Sequence, residues 1–142
     1  MDKVRQIVNS ASTFWIGHQR CMEQRPLPEG KFQMVPGPGI MCAAFCIELA
    51  FKGLLTAHGK QYRREHDLSW LFEHLPKESQ QAVVAASGYP EVAFPVFLKG
   101  ISKAFVDWRY AFESDYLHID FAFLQAAAKG SLSVAQQAVA GT

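Results

Sequence analysis

Three places in this chain hold residue types suited to acid–base or phosphate chemistry. In "WRYAFESDYLH", Trp108 to His118, eight residues separate an arginine from a histidine, with two acids and two tyrosines among them. An imidazole moves protons near neutral pH and a guanidinium stabilises charge on phosphate, so Arg109 and His118 are the candidate catalytic pair. In "REHDL", His66 follows Arg63 and Arg64 and precedes Asp67. At a helix N-terminus, N–H groups and the dipole favour an anion such as phosphate, and Lys60 and Tyr62 extend this basic cluster. The structural alternative is that His66 and Asp67 cap the helix while the arginines are solvated. Third, Glu48 and Lys52 stand four apart, acid first, on an otherwise apolar run. Such charges are costly unless paired, so they face one another and a third partner such as Arg109, or they line a ligand groove.

The elements that must position these residues read as helices. Val4, Ile7, Val8, Ala11, Phe14 or Trp15 and His18 recur at helical spacing, which predicts a first helix from near Asp2 to near Met22. "RPLPEGKFQMVPGPG" breaks it, with four prolines and three glycines between Pro26 and Gly39 marking a long connection. "IMCAAFCIELAFKGLLTAHG" is apolar almost all round, as expected of a central helix ending at Gly59. "HDLSWLFEHL" predicts a short helix capped by Asp67, with Leu68, Leu71, Phe72 and Leu75 as its stripe and Pro76 closing it. "KESQQAVVAAS" is a weaker helix ended by "GYP". Phe97, Leu98, Ile101, Phe105, Trp108 and Phe112 then form one seam at steps of three and four, expected to pack on the central helix. Asp120 caps a last helix whose Ala- and Gln-rich end has little to bury. No segment alternates long enough to predict a strand. The fold class is all-α: a four- to five-helix bundle, up-and-down, with a long Pro/Gly-rich loop after the first helix.

The whole chain sets bounds on function. Its 142 residues suit a single domain over 1–142, and 49% apolar against 19% charged residues is a globular composition. A formal charge of +1 gives no overall field for nucleic acid or anionic membrane, so any such contact must be local. The N-terminus has no signal-peptide core, and the longest apolar run is interrupted by Glu48 and Lys52, so no membrane association is expected. Cys21, Cys42 and Cys46 are an odd number and fit a reducing cytoplasm. Cys42 and Cys46, four apart, could ligate a metal with His18 and Cys21, but their apolar setting and the lack of zinc-type ligand turns favour packing. There is no dinucleotide fingerprint, Walker-type loop or nucleophile elbow, and no cofactor is expected.

Taken in order, "CIELAFKGLL", "HDLSWLFEHL" and "WRYAFE" resemble the HEPN superfamily of small helical bundles. There a central helix carries a Glu and a Lys four apart before a Leu-Leu pair, a His-Asp-Leu opens the next helix, and an Arg-Tyr lies late in the domain. The resemblance covers about Cys42 to Glu113. It implies a four- or five-helix bundle, often a homodimer, in defence, toxin–antitoxin or nucleotide-related systems. Many members are metal-independent ribonucleases; others bind nucleotides or partner small nucleotidyltransferases.

The ribonuclease members carry an Arg, roughly four to six intervening residues and a His, which the dimer brings together for general acid–base work on RNA. This chain departs from that spacing. At about 100° per residue, nine steps turn the chain by about 900° and leave Arg109 and His118 on opposite faces of any continuous helix. They meet only if the helix ends near Ser114–Asp115 or the partner protomer supplies one of them. Otherwise Arg109 pairs with Glu113 one turn on and His118 belongs to a polar link. Two functions follow. The first is a HEPN-like binding module, dimeric, with a nucleotide, RNA or a nucleotidyltransferase as partner, and with Arg63, Arg64, His66, Glu48 and Lys52 as its ligand residues. The alternative is a metal-independent endoribonuclease using Arg109 and His118 in a composite dimer cleft. The residues alone do not decide between enzyme and binding module.

Overall fold

The computed structural model describes residues 2–62, 64–109 and 118–141, with Arg109 placed by its backbone alone. The fold is helical, as the periodicity predicts. Helix α1 spans Asp2–Cys21 and buries Val4, Val8, Ala11 and His18, one stripe at steps of three, four and seven. Helix α2 spans Pro36–Ala57 and buries more than half of its residues. It is long and apolar enough to cross a membrane, but most of that surface is buried inside the domain.

Helices α1 and α2 run antiparallel and approach through glycines. A Cβ at Gly53 would stand 2.9 Å from Val8, one at Gly17 3.4 Å from Cys42 and one at Gly39 3.1 Å from Cys21. Numbers rise on one helix as they fall on the other. Helix α2 starts earlier than expected, at the "PGPG" that ends the Pro/Gly-rich connection. Pro36 stands at the helix start, where no N–H is needed, and Gly39 N–H donates to Val35 O at 3.2 Å. At the other end Gly59, with φ +68, closes a Schellman motif in which Lys60 N–H reaches Leu55 O and Gly59 N–H reaches Thr56 O.

The loop before α2 holds a two-stranded hairpin that no alternation announced. Strand β1, Arg25–Leu27, pairs antiparallel with β2, Lys31–Gln33, across a turn at Pro28–Gly30. The strands are three residues each and fully exposed, too short for a period-two pattern to be read.

Helix α3, Leu68–Glu73, has the predicted cap: Asp67 Oδ1 accepts from Ser69 N–H and Trp70 N–H at 3.0 and 3.2 Å. Its predicted stripe of Leu68, Leu71, Phe72 and Leu75 is buried. Helix α4, Lys77–Ser87, ends at Gly88 with φ +77. The seam expected as one helix is two: α5, Phe94–Ile101, and α6, Ala104–Arg109. The break has a tertiary cause. Ser102 O, which in a continuous helix would accept from residue 106, accepts instead from Leu68 N–H at 3.1 Å. Ser102 Oγ donates to Leu98 O at 2.8 Å and accepts from Ser69 N–H at 3.1 Å. The α6 half of the seam packs on α2, while α5 packs on α3. Phe112 lies outside the described residues.

Helix α7, Phe121–Ala140, starts at the predicted cap, with Asp120 Oδ1 accepting from Phe123 N–H at 3.0 Å. It lies against α1, α2 and α4. At its contact with α4, a Cβ on Gly130 would stand 2.9 Å from Ser87 N and 3.0 Å from Ala86 C. These are backbone atoms, and the helices would have to part. Gly130→Ala is therefore expected to lower the thermal midpoint, because overpacking costs about 1–3 kcal/mol and alanine's helix propensity offsets only about 1 of it. An unchanged midpoint in a calorimeter would show that α4 gives way freely.

Candidate functional site

Glu48 sits in the middle of α2 with a side chain only 1% exposed. Its two oxygens are both engaged. Oε2 accepts from Lys52 Nζ at 2.9 Å, one turn along the same helix. Oε1 faces His66 Nδ1, also at 2.9 Å, from the connection before α3. The charges on α2 thus face one another and a third partner, as expected of buried charge, and that partner is His66.

Each member is held by a second contact. The Lys52 ammonium stands over the Tyr62 ring, 5.5 Å from its centroid, a cation–π arrangement that also shields it from solvent. The His66 ring lies 5.7 Å from Phe105 of α6, which stacks on Phe45 of α2 at 4.8 Å. Phe45 in turn meets Phe14 of α1 edge-on at 4.6 Å. This aromatic row crosses three helices and ends at the imidazole. Backbone bonds fix the turn that carries His66, with Glu65 Oε1 accepting from His66 N–H at 3.1 Å and Asp67 N–H at 3.0 Å.

The chemistry follows from donor and acceptor roles. A carboxylate only accepts, so Nδ1 of His66 carries its proton toward Glu48. Nε2 is then the ring nitrogen that can meet a ligand, and it has no hydrogen-bond partner among the described residues. The His66 side chain is 43% exposed. A half-exposed imidazole oriented by a buried carboxylate is an acid–base and anion-contact arrangement.

Tyr62 links this cluster to a cleft of about 440 Å³ lined by Lys3, Thr56, Gly59, Lys60, Gln61 and Tyr62. Two lysines and a phenol suit a phosphate-bearing ligand with a ring to stack. Lys60 Nζ also donates to His74 O at 3.2 Å, at the carbonyl end of α3. A larger cleft of about 820 Å³, between α3, α5 and α6, is lined by Lys99 and Lys103 together with Asp67, Glu73 and Asp107. Neither cleft is lined by Glu48, Lys52 or His66 themselves, but the mixed charge of the larger one gives an anion less reason to settle there.

No protein-family model, curated protein or solved structure matches this chain.

The geometry redistributes the residues singled out in the sequence. Glu48, Lys52 and His66 come together. His66 does not cap α3: Asp67 does. The α3 N–H groups that an anion would use are already taken by Asp67 and Ser102, so an anion at this point meets side chains and not a helix end. Arg64 is exposed on the same connection, while Arg63 lies outside the described residues. Arg109 is the last residue of α6, and the Glu113 proposed to pair with it lies outside the described residues, as does the Ser114–Asp115 break. His118 is exposed in the link before α7.

Two residues have roles beyond those expected of them, Tyr62 as a member of the basic cluster and Phe105 as a member of the apolar seam. Tyr62 is the floor beneath Lys52, and Phe105 is the wall beside His66. His18 is fully buried and satisfied, with Nδ1 donating to Gly39 O at 2.8 Å and Nε2 3.0 Å from the Gln125 amide nitrogen, which donates to it. It joins α1, α2 and α7 and is part of the core. Among the described residues no group of three or more His, Cys, Asp or Glu side chains is placed to hold a metal.

Proposed function

We propose that this chain is a HEPN-like helical binding module that takes a phosphate-bearing ligand, a nucleotide or RNA, at the Glu48–Lys52–His66 cluster and the cleft beside Tyr62. It acts as a homodimer in the cytoplasm, with a nucleotidyltransferase as protein partner in a defence or toxin–antitoxin type of system. The single observation that carries the ligand chemistry is the carboxylate shared between Lys52 and His66, which orients a half-exposed imidazole beside basic side chains. The dimer, the partner and the system follow from the ordered resemblance of "CIELAFKGLL", "HDLSWLFEHL" and "WRYAFE".

The His66 imidazole can donate to or accept from a ligand without a covalent step of its own. Glu48 cancels the charge of Lys52 internally. The anion would therefore be met by His66, Lys3, Lys60 and Arg64 at the surface.

Fluorescence anisotropy with a labelled short single-stranded RNA and with a labelled adenosine nucleotide tests this reading. Saturable binding is expected for one of them, weakened about tenfold or more in His66→Ala, since a charge-assisted hydrogen bond contributes about 1.5–3 kcal/mol. Binding that is absent, or indifferent to His66→Ala and Tyr62→Ala in folded protein, would overturn it. RNA cleavage in the presence of chelator, lost in both Arg109→Ala and His118→Ala, would establish the nuclease alternative instead.

A further inference from the structure

The connection that carries the β1–β2 hairpin leaves α1 after Cys21 and enters α2 shortly before Cys42, so the two cysteines stand near its two feet. Their neighbours show how they face each other. Gly17, one turn before Cys21 on α1, has its Cβ position 3.4 Å from the Cys42 sulfur. Gly39, one turn before Cys42 on α2, has its Cβ position 3.1 Å from the Cys21 Cβ. Each cysteine thus lies against the glycine that precedes the other, which sets the two side chains across one close helix contact. Both residues are half-buried, whereas Cys46 is fully buried.

We propose that Cys21 and Cys42 form a reversible intramolecular disulfide, with a low-molecular-weight disulfide such as oxidised glutathione as the oxidant. The Cys21 sulfur, having lost its proton, attacks one glutathione sulfur. The glutathione S–S bond breaks, and the first glutathione leaves as a thiolate that takes up a proton. The Cys42 thiol then gives up its proton and attacks the Cys21 sulfur, breaking the mixed disulfide and releasing the second glutathione as a thiol. Two cysteine thiols are oxidised to one disulfide and one glutathione disulfide is reduced to two thiols. The order follows from Cys42, whose thiol is pushed up by burial first and by Cys21 beside it second, which disfavours it as the first nucleophile. The bridge would fasten α1 to α2 at the base of the hairpin. This inference is independent of the phosphate-ligand reading.

Cys46 serves as the internal control. Burial pushes its thiol up to about 12, and its sulfur faces Ala128 O at 3.9 Å. Burial thus holds the Cys46 thiol protonated, so it should take no part. The experiment incubates the full chain with oxidised glutathione at about pH 8 and reads intact mass, maleimide-reactive thiols and a non-reducing gel. Expected are a monomer lighter by two hydrogen atoms, recovery with dithiothreitol, an unchanged result in Cys46→Ala, and a retained glutathione adduct in Cys42→Ser. The proposal is overturned if the wild-type chain, folded by circular dichroism, keeps all its thiols, stops at a glutathione adduct or forms a disulfide between two chains.

Discussion

Lys52→Met is expected to destabilise the fold by about 3–5 kcal/mol, read as a lower urea midpoint by circular dichroism. The cause lies in what remains. The Glu48 side chain is 1% exposed, so its carboxylate cannot turn to water when the ammonium is removed. His66 alone would face it, from a position already 43% exposed. Lys52, at 13% exposed, contributes little apolar area that methionine would not replace, and the loss is therefore electrostatic. The companion variant makes this decisive. Glu48→Leu with Lys52→Met removes both charges from an apolar helix, and its stability should return to near that of the wild type, since apolar replacement of a buried pair is often neutral or better. The double variant would then be folded but lack the carboxylate that orients His66, separating the role of Glu48 in the site from its place in the core. A single variant as stable as the wild type would show that Glu48 reaches water and that the cluster is a surface pair.

Phe123→Ala should cost about as much for a different reason, about 3–5 kcal/mol or a fall of about 10–20 °C in thermal midpoint. Phe123 is fully buried in the first turn of α7. Its ring meets Tyr89 edge-on at 4.9 Å, Phe94 at 5.3 Å and Phe97 in a stack at 5.4 Å. One side chain thus joins α7 to α5 and to the turn after α4. Truncation leaves a void among large rings that cannot close without moving helices, and the cavity term adds to the lost transfer free energy. Phe123→Leu fills most of that space and should cost less than half as much. Calorimetry on the two variants checks the difference, and equal losses would mean that the corner collapses around either residue.

What could be read in advance was local. The Asp67 and Asp120 caps, the Leu68 to Leu75 stripe and the Glu48–Lys52 pair each depend on residues within one or two turns, where a helical period is enough. Pro36 hides a helix start for a physical reason: proline looks like punctuation in a sequence, yet in the first turn of a helix its missing N–H has no bond to lose. The seam from Phe97 to Phe112 kept its period across Ser102, and only a hydrogen bond to Leu68, far back in the chain, breaks the helix there. His66 shows the same limit. Its neighbours Arg63, Arg64 and Asp67 suggested an anion at a helix start, while its actual partner is a carboxylate eighteen positions earlier. No spacing rule carries that contact.

That dispersal decides how portable the site is. Glu48 and Lys52 come from α2, His66 from the connection before α3, the serine that pins that connection from the α5–α6 break, and the aromatic wall from α6. No short peptide contains it. A graft onto another scaffold would have to bring the chain from Glu48 to Phe105 with its helix packing intact. By the same logic, a distant relative could preserve the whole constellation while sharing hardly any contiguous string of residues with this one.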